Sequence, residues 1–126
     1  EKVAEGMGPG SHGSTFGGNP MAAAAAGVVM DAMTPAFFQE VKEKGEYLRA
    51  GIAALNSPYV SGIRGMGLMI GAGIQGMTHK ELCAKLRDAG LLTLTAGKDT
   101  LRLLPPLVIT KEEIDKGLAI MAQVMK

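Results

Sequence analysis

Two places in this sequence gather side chains that could bind or react. The first is the run His12-Gly13-Ser14-Thr15-Phe16-Gly17-Gly18-Asn19-Pro20. Residues 6 to 18 hold six glycines (Gly6, Gly8, Gly10, Gly13, Gly17, Gly18), so the backbone can take positive φ and approach another molecule closely. The loop runs into Asn19-Pro20, an N-cap followed by a proline suited to the first helical position. Hydroxyls such as Ser14 and Thr15 at a helix N-terminus suit phosphate, because backbone N-H groups and the helix dipole attract anions there. The second place is Arg102, inside the apolar run Leu101 to Leu104 and just ahead of Pro105-Pro106. A guanidinium in such a setting needs an anion: either a structural salt bridge, with Asp99 the nearest acid, or the carboxylate of a substrate, gripped by two parallel hydrogen bonds.

Other chemistries are less well supplied. Gly8 and Gly13 have the separation of a nucleotide-binding phosphate loop and precede Ser14 and Thr15, but the lysine such a loop uses is missing and no apolar strand leads into it. His12 and His79 are isolated in sequence and do not amount to a metal site. Arg64 reads as a structural residue at the corner between two strands. Basic and acidic residues nearly balance, 13 against 12, without a basic patch interleaved with aromatics, which argues against nucleic acid as a partner. The single cysteine, Cys83, cannot form an internal disulfide and fits a reduced, cytoplasmic setting. No apolar run reaches the roughly 18 residues of a membrane span, so no membrane partner is expected.

The elements that must position these residues follow from hydrophobic spacing. An Ala-rich helix is expected from Asn19-Pro20 to about Met33, and a second from Thr34-Pro35 to Asn56, with Phe37, Val41, Leu48, Ile52 and Leu55 forming one stripe. The period then changes. Tyr59–Arg64 and Met66–Ile74 read as strands, the second apolar enough to be buried on both faces. Thr78 with Glu81 and Thr110 with Glu113 are capping boxes for two further helices. The first of these carries Leu82 and Leu86 and stops at Gly90; the second carries Ile114, Leu118, Met121 and Met125. Between them, Leu91–Thr95 and Thr100–Leu104 form a hairpin around Gly97-Lys98-Asp99. The expected class is α+β: a small, mostly antiparallel sheet with helices on one face, preceded by a long helical lead-in. Three regions follow: a glycine-rich loop (1–20), the lead-in (21–56) and the α+β domain (57–126).

The run from His12 to Pro20, HGSTFGGNP, closely resembles a signature of the class III, fold-type I aminotransferases of the acetylornithine/ornithine type. Arg64–Met69 (RGMGLM) and Leu101–Thr110 (LRLLPPLVIT) resemble segments of the same family's small domain, in the same order. The likeness spans essentially the whole chain and corresponds to roughly the last third of a family member. It implies a cytoplasmic homodimer that uses pyridoxal 5'-phosphate to move an amino group from N-acetylornithine to 2-oxoglutarate in arginine biosynthesis, with ornithine and 4-aminobutyrate enzymes sharing the scaffold. It also implies roles. Thr15 would hold the cofactor phosphate belonging to the partner subunit, Ser14 would lie beside the substrate, and Arg102 would pair with an amino-acid or oxo-acid carboxylate. The family's cofactor-bonding lysine lies upstream of the loop, and Lys2 is too close to the loop to be it. The chain, opening at Glu1 without a methionine, therefore reads as a C-terminal piece with no catalytic residue of its own. A free-standing α+β binding module or a dimerisation domain are the readings from other classes. The glycine loop, short of apolar anchors, is expected to be mobile.

Overall fold

The protein is described by a computed structural model covering residues 4–8 and 10–126; Lys2 lies outside the described residues. The chain divides into two compact units, one up to Pro35 and one from Ala36 to Lys126.

In the first unit a short 3-10 turn (Ala4–Gly6) precedes the glycine loop and helix α1 (Pro20–Ala32). Asn19 caps α1: its side-chain oxygen accepts from the N-H groups of Met21 and Ala22. The run of alanines supplies helix propensity without bulk, and none of the residues in α1 is buried within its unit.

The second unit starts from helix α2 (Pro35–Ala54), whose expected stripe is real: Leu48 and Ile52 are buried, with Val41 and Leu55 packed against them. Four strands follow, interrupted by helix α3 (His79–Asp88) and closed by helix α4 (Lys111–Val124). The strands are β1 (Val60–Met66), β2 (Met69–Ile74), β3 (Leu94–Ala96) and β4 (Thr100–Leu103), antiparallel throughout in the order β1-β2-β4-β3. Strand alternation sends Ile70, Ala72 and Ile74 of β2 and Leu101 and Leu103 of β4 to one face, where Leu82, Leu86, Ile114 and Met121 of α3 and α4 bury them together with the α2 stripe. The α+β class, with helices on one face of an antiparallel sheet, is the one expected.

Two local expectations change, and a third holds for a reason of its own. β1 continues through Gly65 to Met66 and turns at Gly67-Leu68, so Arg64 stands inside a strand, opposite Gly71, rather than at a corner. Gly67 takes φ 51, and Leu68, only 1% exposed, plugs the core from the turn. The turn reaches α2 so closely that a Cβ on Gly45 would lie 2.2 Å from the Gly67 carbonyl oxygen. β2 is buried on both faces over most of its length, as expected: Ile70, Ala72 and Ile74 enter the core, while the outward Gly73 is buried and Gly71 half-buried beneath side chains of neighbouring strands. Of the two capping boxes, only Thr110–Glu113 is complete; Thr78 accepts from the Glu81 N-H, but the Glu81 carboxylate turns instead to Lys85, 3.1 Å away. The hairpin around Gly97-Lys98-Asp99 forms as expected, with β3 limited to three residues because Leu91 closes α3 by donating its N-H to the Leu86 carbonyl.

Candidate functional site

Ser14 and Thr15 belong to the first unit and Arg102 to the second. Around Ser14 the loop is folded by its own backbone: the Gly17 N-H donates to the Ser14 carbonyl and the Asn19 N-H to that of Phe16. Both hydroxyls are on exposed residues and have no hydrogen-bond partner among the described residues. The helix end behind them does not have the free donors expected of it. Pro20 has no N-H, Met21 and Ala22 donate to the Asn19 side chain, and Ala23 donates to the Asn19 carbonyl. The first turn of α1 therefore offers none of these amides to an anion, and the exposed hydroxyls of Ser14 and Thr15 are the donors left at this junction. His12 is exposed; His79, the first residue of α3, is 9% exposed. Among the described residues no three His, Cys, Asp or Glu side chains gather as metal ligands, and no single helix is long and apolar enough to cross a membrane.

Arg102 projects from the outward face of β4, the face opposite Leu101 and Leu103. It is half-buried and lines a cavity of about 470 Å³ whose walls are otherwise largely apolar, among them Leu48, Leu94, Leu104, Pro105 and Ile109. Its Nε is buried without any hydrogen-bond partner. The salt bridge to Asp99 is not formed. Asp99 accepts instead from the Thr100 hydroxyl at 3.0 Å, and no acid of the described residues lies within the 4.0 Å ion-pair range of Arg102. A buried donor on a permanently charged group is costly to leave unpaired. A carboxylate is the anion whose two oxygens match a guanidinium edge. Glu113 also lines the cavity, but its carboxylate is committed to the α4 cap, accepting from the Thr110 N-H and hydroxyl; those bonds hold its pKa below the ordinary glutamate value.

One residue the sequence had not singled out belongs to this setting. Thr100 is 4% exposed and shares the outward face of β4 with Arg102. It accepts from Nη2 of Arg64, which reaches it from β1. The signal was present in the alternation of Thr100 and Arg102 against Leu101 and Leu103, which places the two polar residues on one side.

The chain matches the family described as aminotransferase class-III over residues 1–125. It belongs to the class-III aminotransferase family. It is 46% identical over 123 residues to the acetylornithine aminotransferase of Streptococcus mutans, covering 95% of this chain and 32% of that protein. Against the acetylornithine aminotransferase of Bacillus subtilis it is 42% identical over 125 residues, covering 98% of this chain and again 32% of the relative. Among solved structures it resembles N-acetylornithine aminotransferase from Stenotrophomonas maltophilia (TM-score 0.77, 34% identity, 98% of this chain and 33% of that one). It also resembles ornithine delta-aminotransferase from Plasmodium falciparum (TM-score 0.75, 30% identity, 99% and 34%). The chain thus spans about a third of the length of the relatives it matches. Those relatives carry the fold-type I small-domain architecture seen in the second unit.

Proposed function

We propose that this chain is the C-terminal third of a pyridoxal-phosphate-dependent aminotransferase that transfers the amino group of N-acetylornithine to 2-oxoglutarate, as a cytoplasmic homodimer in arginine biosynthesis. The observation that carries the reading is the unpaired, buried Nε of Arg102 on the wall of an apolar cavity, a place that calls for a carboxylate ligand. Both substrates of the reaction are carboxylates. The acetylornithine enzymes among the relatives support the amine donor; the ornithine aminotransferases among the similar structures favour ornithine as the second reading.

Within that reading Arg102 binds and orients the substrate carboxylate, and the apolar wall around it excludes water and strengthens the charge pairing. Thr15 donates its hydroxyl to the phosphate of the cofactor held by the partner subunit, and Ser14 borders the substrate. The donor set fits that phosphate, since both hydroxyls lie in an anion-compatible loop with no competing partner among the described residues. When bound, pyridoxal phosphate supplies the electron sink that stabilises the carbanion left by removal of the α-proton. The described residues position ligands; the lysine that bonds the cofactor is a feature of the longer protein.

The test is a transamination assay on the longer protein with 2-oxoglutarate and, in turn, N-acetylornithine, ornithine and 4-aminobutyrate. The largest kcat/KM is expected for N-acetylornithine, and a larger value for ornithine would move the assignment to the second reading. A longer protein that neither transaminates nor takes up the cofactor would leave a binding module of the same fold.

A further inference from the structure

Arg64 and Arg102 lie in one row. Arg64 of β1 is opposite Gly71 of β2, and Gly71 is opposite Arg102 of β4, so both arginine side chains leave the same face of the sheet with a residue lacking a side chain between them. The Arg64 side chain crosses that gap. Its Cγ lies 3.7 Å and its Nε 3.9 Å from where a Gly71 Cβ would stand, and its Nη2 donates to the Thr100 hydroxyl, which in turn donates to Asp99. Thr100 is two residues from Arg102 on the same face of β4. Neither guanidinium has an acid within ion-pair range among the described residues.

We propose that Arg64 is a positioning residue for Arg102: by filling the space over Gly71 and occupying the Thr100 hydroxyl, it denies Arg102 that partner within the chain and leaves its guanidinium, whose buried Nε has no hydrogen-bond partner, available to a carboxylate. This rests on the reading of Arg102 as the carboxylate-binding residue. Without Arg64 the groove over Gly71 is open, and on the same face of β4 the Thr100 hydroxyl, with the Asp99 carboxylate beyond it, is left to Arg102 as an acceptor. A flexible arginine that folds back onto them gains an intramolecular partner and loses the substrate, so each binding event must first break that contact. The fixed positive charge of Arg64 in the same row acts in the same direction, repelling Arg102 from β2 and adding to the potential that draws an anion.

The experiment uses the longer aminotransferase and three variants: Arg64→Gln, Arg64→Lys and the double change Arg64→Gln with Thr100→Val, which removes the competing hydroxyl. KM for 2-oxoglutarate is measured beside kcat, and the affinity for glutarate, an unreactive dicarboxylate, is measured by calorimetry. Arg64→Gln is expected to raise KM and the glutarate Kd about tenfold, the scale of one competing hydrogen bond to a charged group, with kcat within about twofold. Arg64→Lys, which still fills the groove with a cation, should keep most of the affinity, and the double variant should recover most of what Arg64→Gln loses. A merely structural role predicts the reverse pattern: a lowered melting temperature and kcat with glutarate affinity unmoved, or no recovery in the double variant, and either result overturns the proposal. Because glutarate binding needs no turnover, a protein that binds it through Arg102 without transaminating would count against the proposed reaction, while the glutarate Kd values of the three variants would still decide for or against the role of Arg64.

Discussion

The two units of this chain invest their apolar residues differently. In the second, Ile70, Ala72, Leu82, Leu86 and Leu101 are all 0% exposed, and three helices close over one face of the sheet. In the first, α1 is well capped and rich in alanine yet buries nothing within its own unit, and Met21, Val28, Met30 and the loop residue Phe16 stand 67% to 82% exposed. Local signals are sufficient to write a helix; a core is needed to hold one in place. The contrast matches the division of labour proposed above: the second unit fixes Arg102 on a strand backed by a core, whereas the loop carrying Ser14 and Thr15 presents its hydroxyls outward, as a group that serves another subunit's cofactor would.

The largest effect that would sharpen this contrast is in the core. Leu86→Ala should cost about 2–5 kcal/mol in denaturant unfolding, whereas Val28→Ala in α1 should stay within about 0.5 kcal/mol; comparable losses would break the distinction. Next comes the junction of α2 with the β1-β2 turn. Gly45→Ala sets a Cβ against backbone rather than a yielding side chain, and about 1–3 kcal/mol is expected from the same measurement. Hydrogen exchange should divide the chain in the same way, with β2 amides exchanging only through opening of the whole second unit and those of α1 and the glycine loop through cheap local fluctuations. Slow exchange at residues 10–19 in the ligand-free chain would contradict the expected mobility of the loop.

The smallest effect concerns the α4 cap. Thr110 holds the Glu113 carboxyl below its ordinary pKa, so as pH falls the unfolded chain takes up this proton before the folded one does. Stability from the cap is therefore full above the ordinary glutamate range and is lost as pH drops through the lower folded value. Glu113→Gln should remove that part of the acid dependence. An unchanged pH profile would mean the cap bonds are not maintained in solution.

Much of this was legible in the sequence because it is written locally. The Asn19-Pro20 start of α1, the α2 stripe, the stop at Gly90 and the Thr110–Glu113 box all depend on residues within a few positions of one another. What escaped depended on pairing across the sheet. The place of Arg64 inside β1 follows from the turn falling at Gly67-Leu68 rather than at Gly65, a choice fixed by Leu68 entering the core and Gly45 admitting the turn. The burial of β2 on both faces was legible in its apolar run, but not its cause on the outward side, where side chains of β1 and β4 lie over Gly71 and Gly73. At the site, the chemistry of Arg102 was readable from a guanidinium in an apolar run, but the choice between Asp99 and a substrate needed coordinates: Thr100, adjacent to Asp99, claims that carboxylate. The free N-terminal donors expected at α1 were lost to the same Asn19 that announced the helix.

Arg102, proposed as the carboxylate anchor, is the residue to remove first. KM for 2-oxoglutarate should be measured in the longer aminotransferase and in its Arg102→Ala and Arg102→Lys variants. Removing a half-buried guanidinium from a carboxylate is worth about 2 kcal/mol or more, so Arg102→Ala should raise KM by roughly 30-fold or more, with lysine recovering only part because it lacks the planar fork. A KM that stays within about twofold of the parent in Arg102→Ala would contradict the assignment and leave the buried Nε without a ligand.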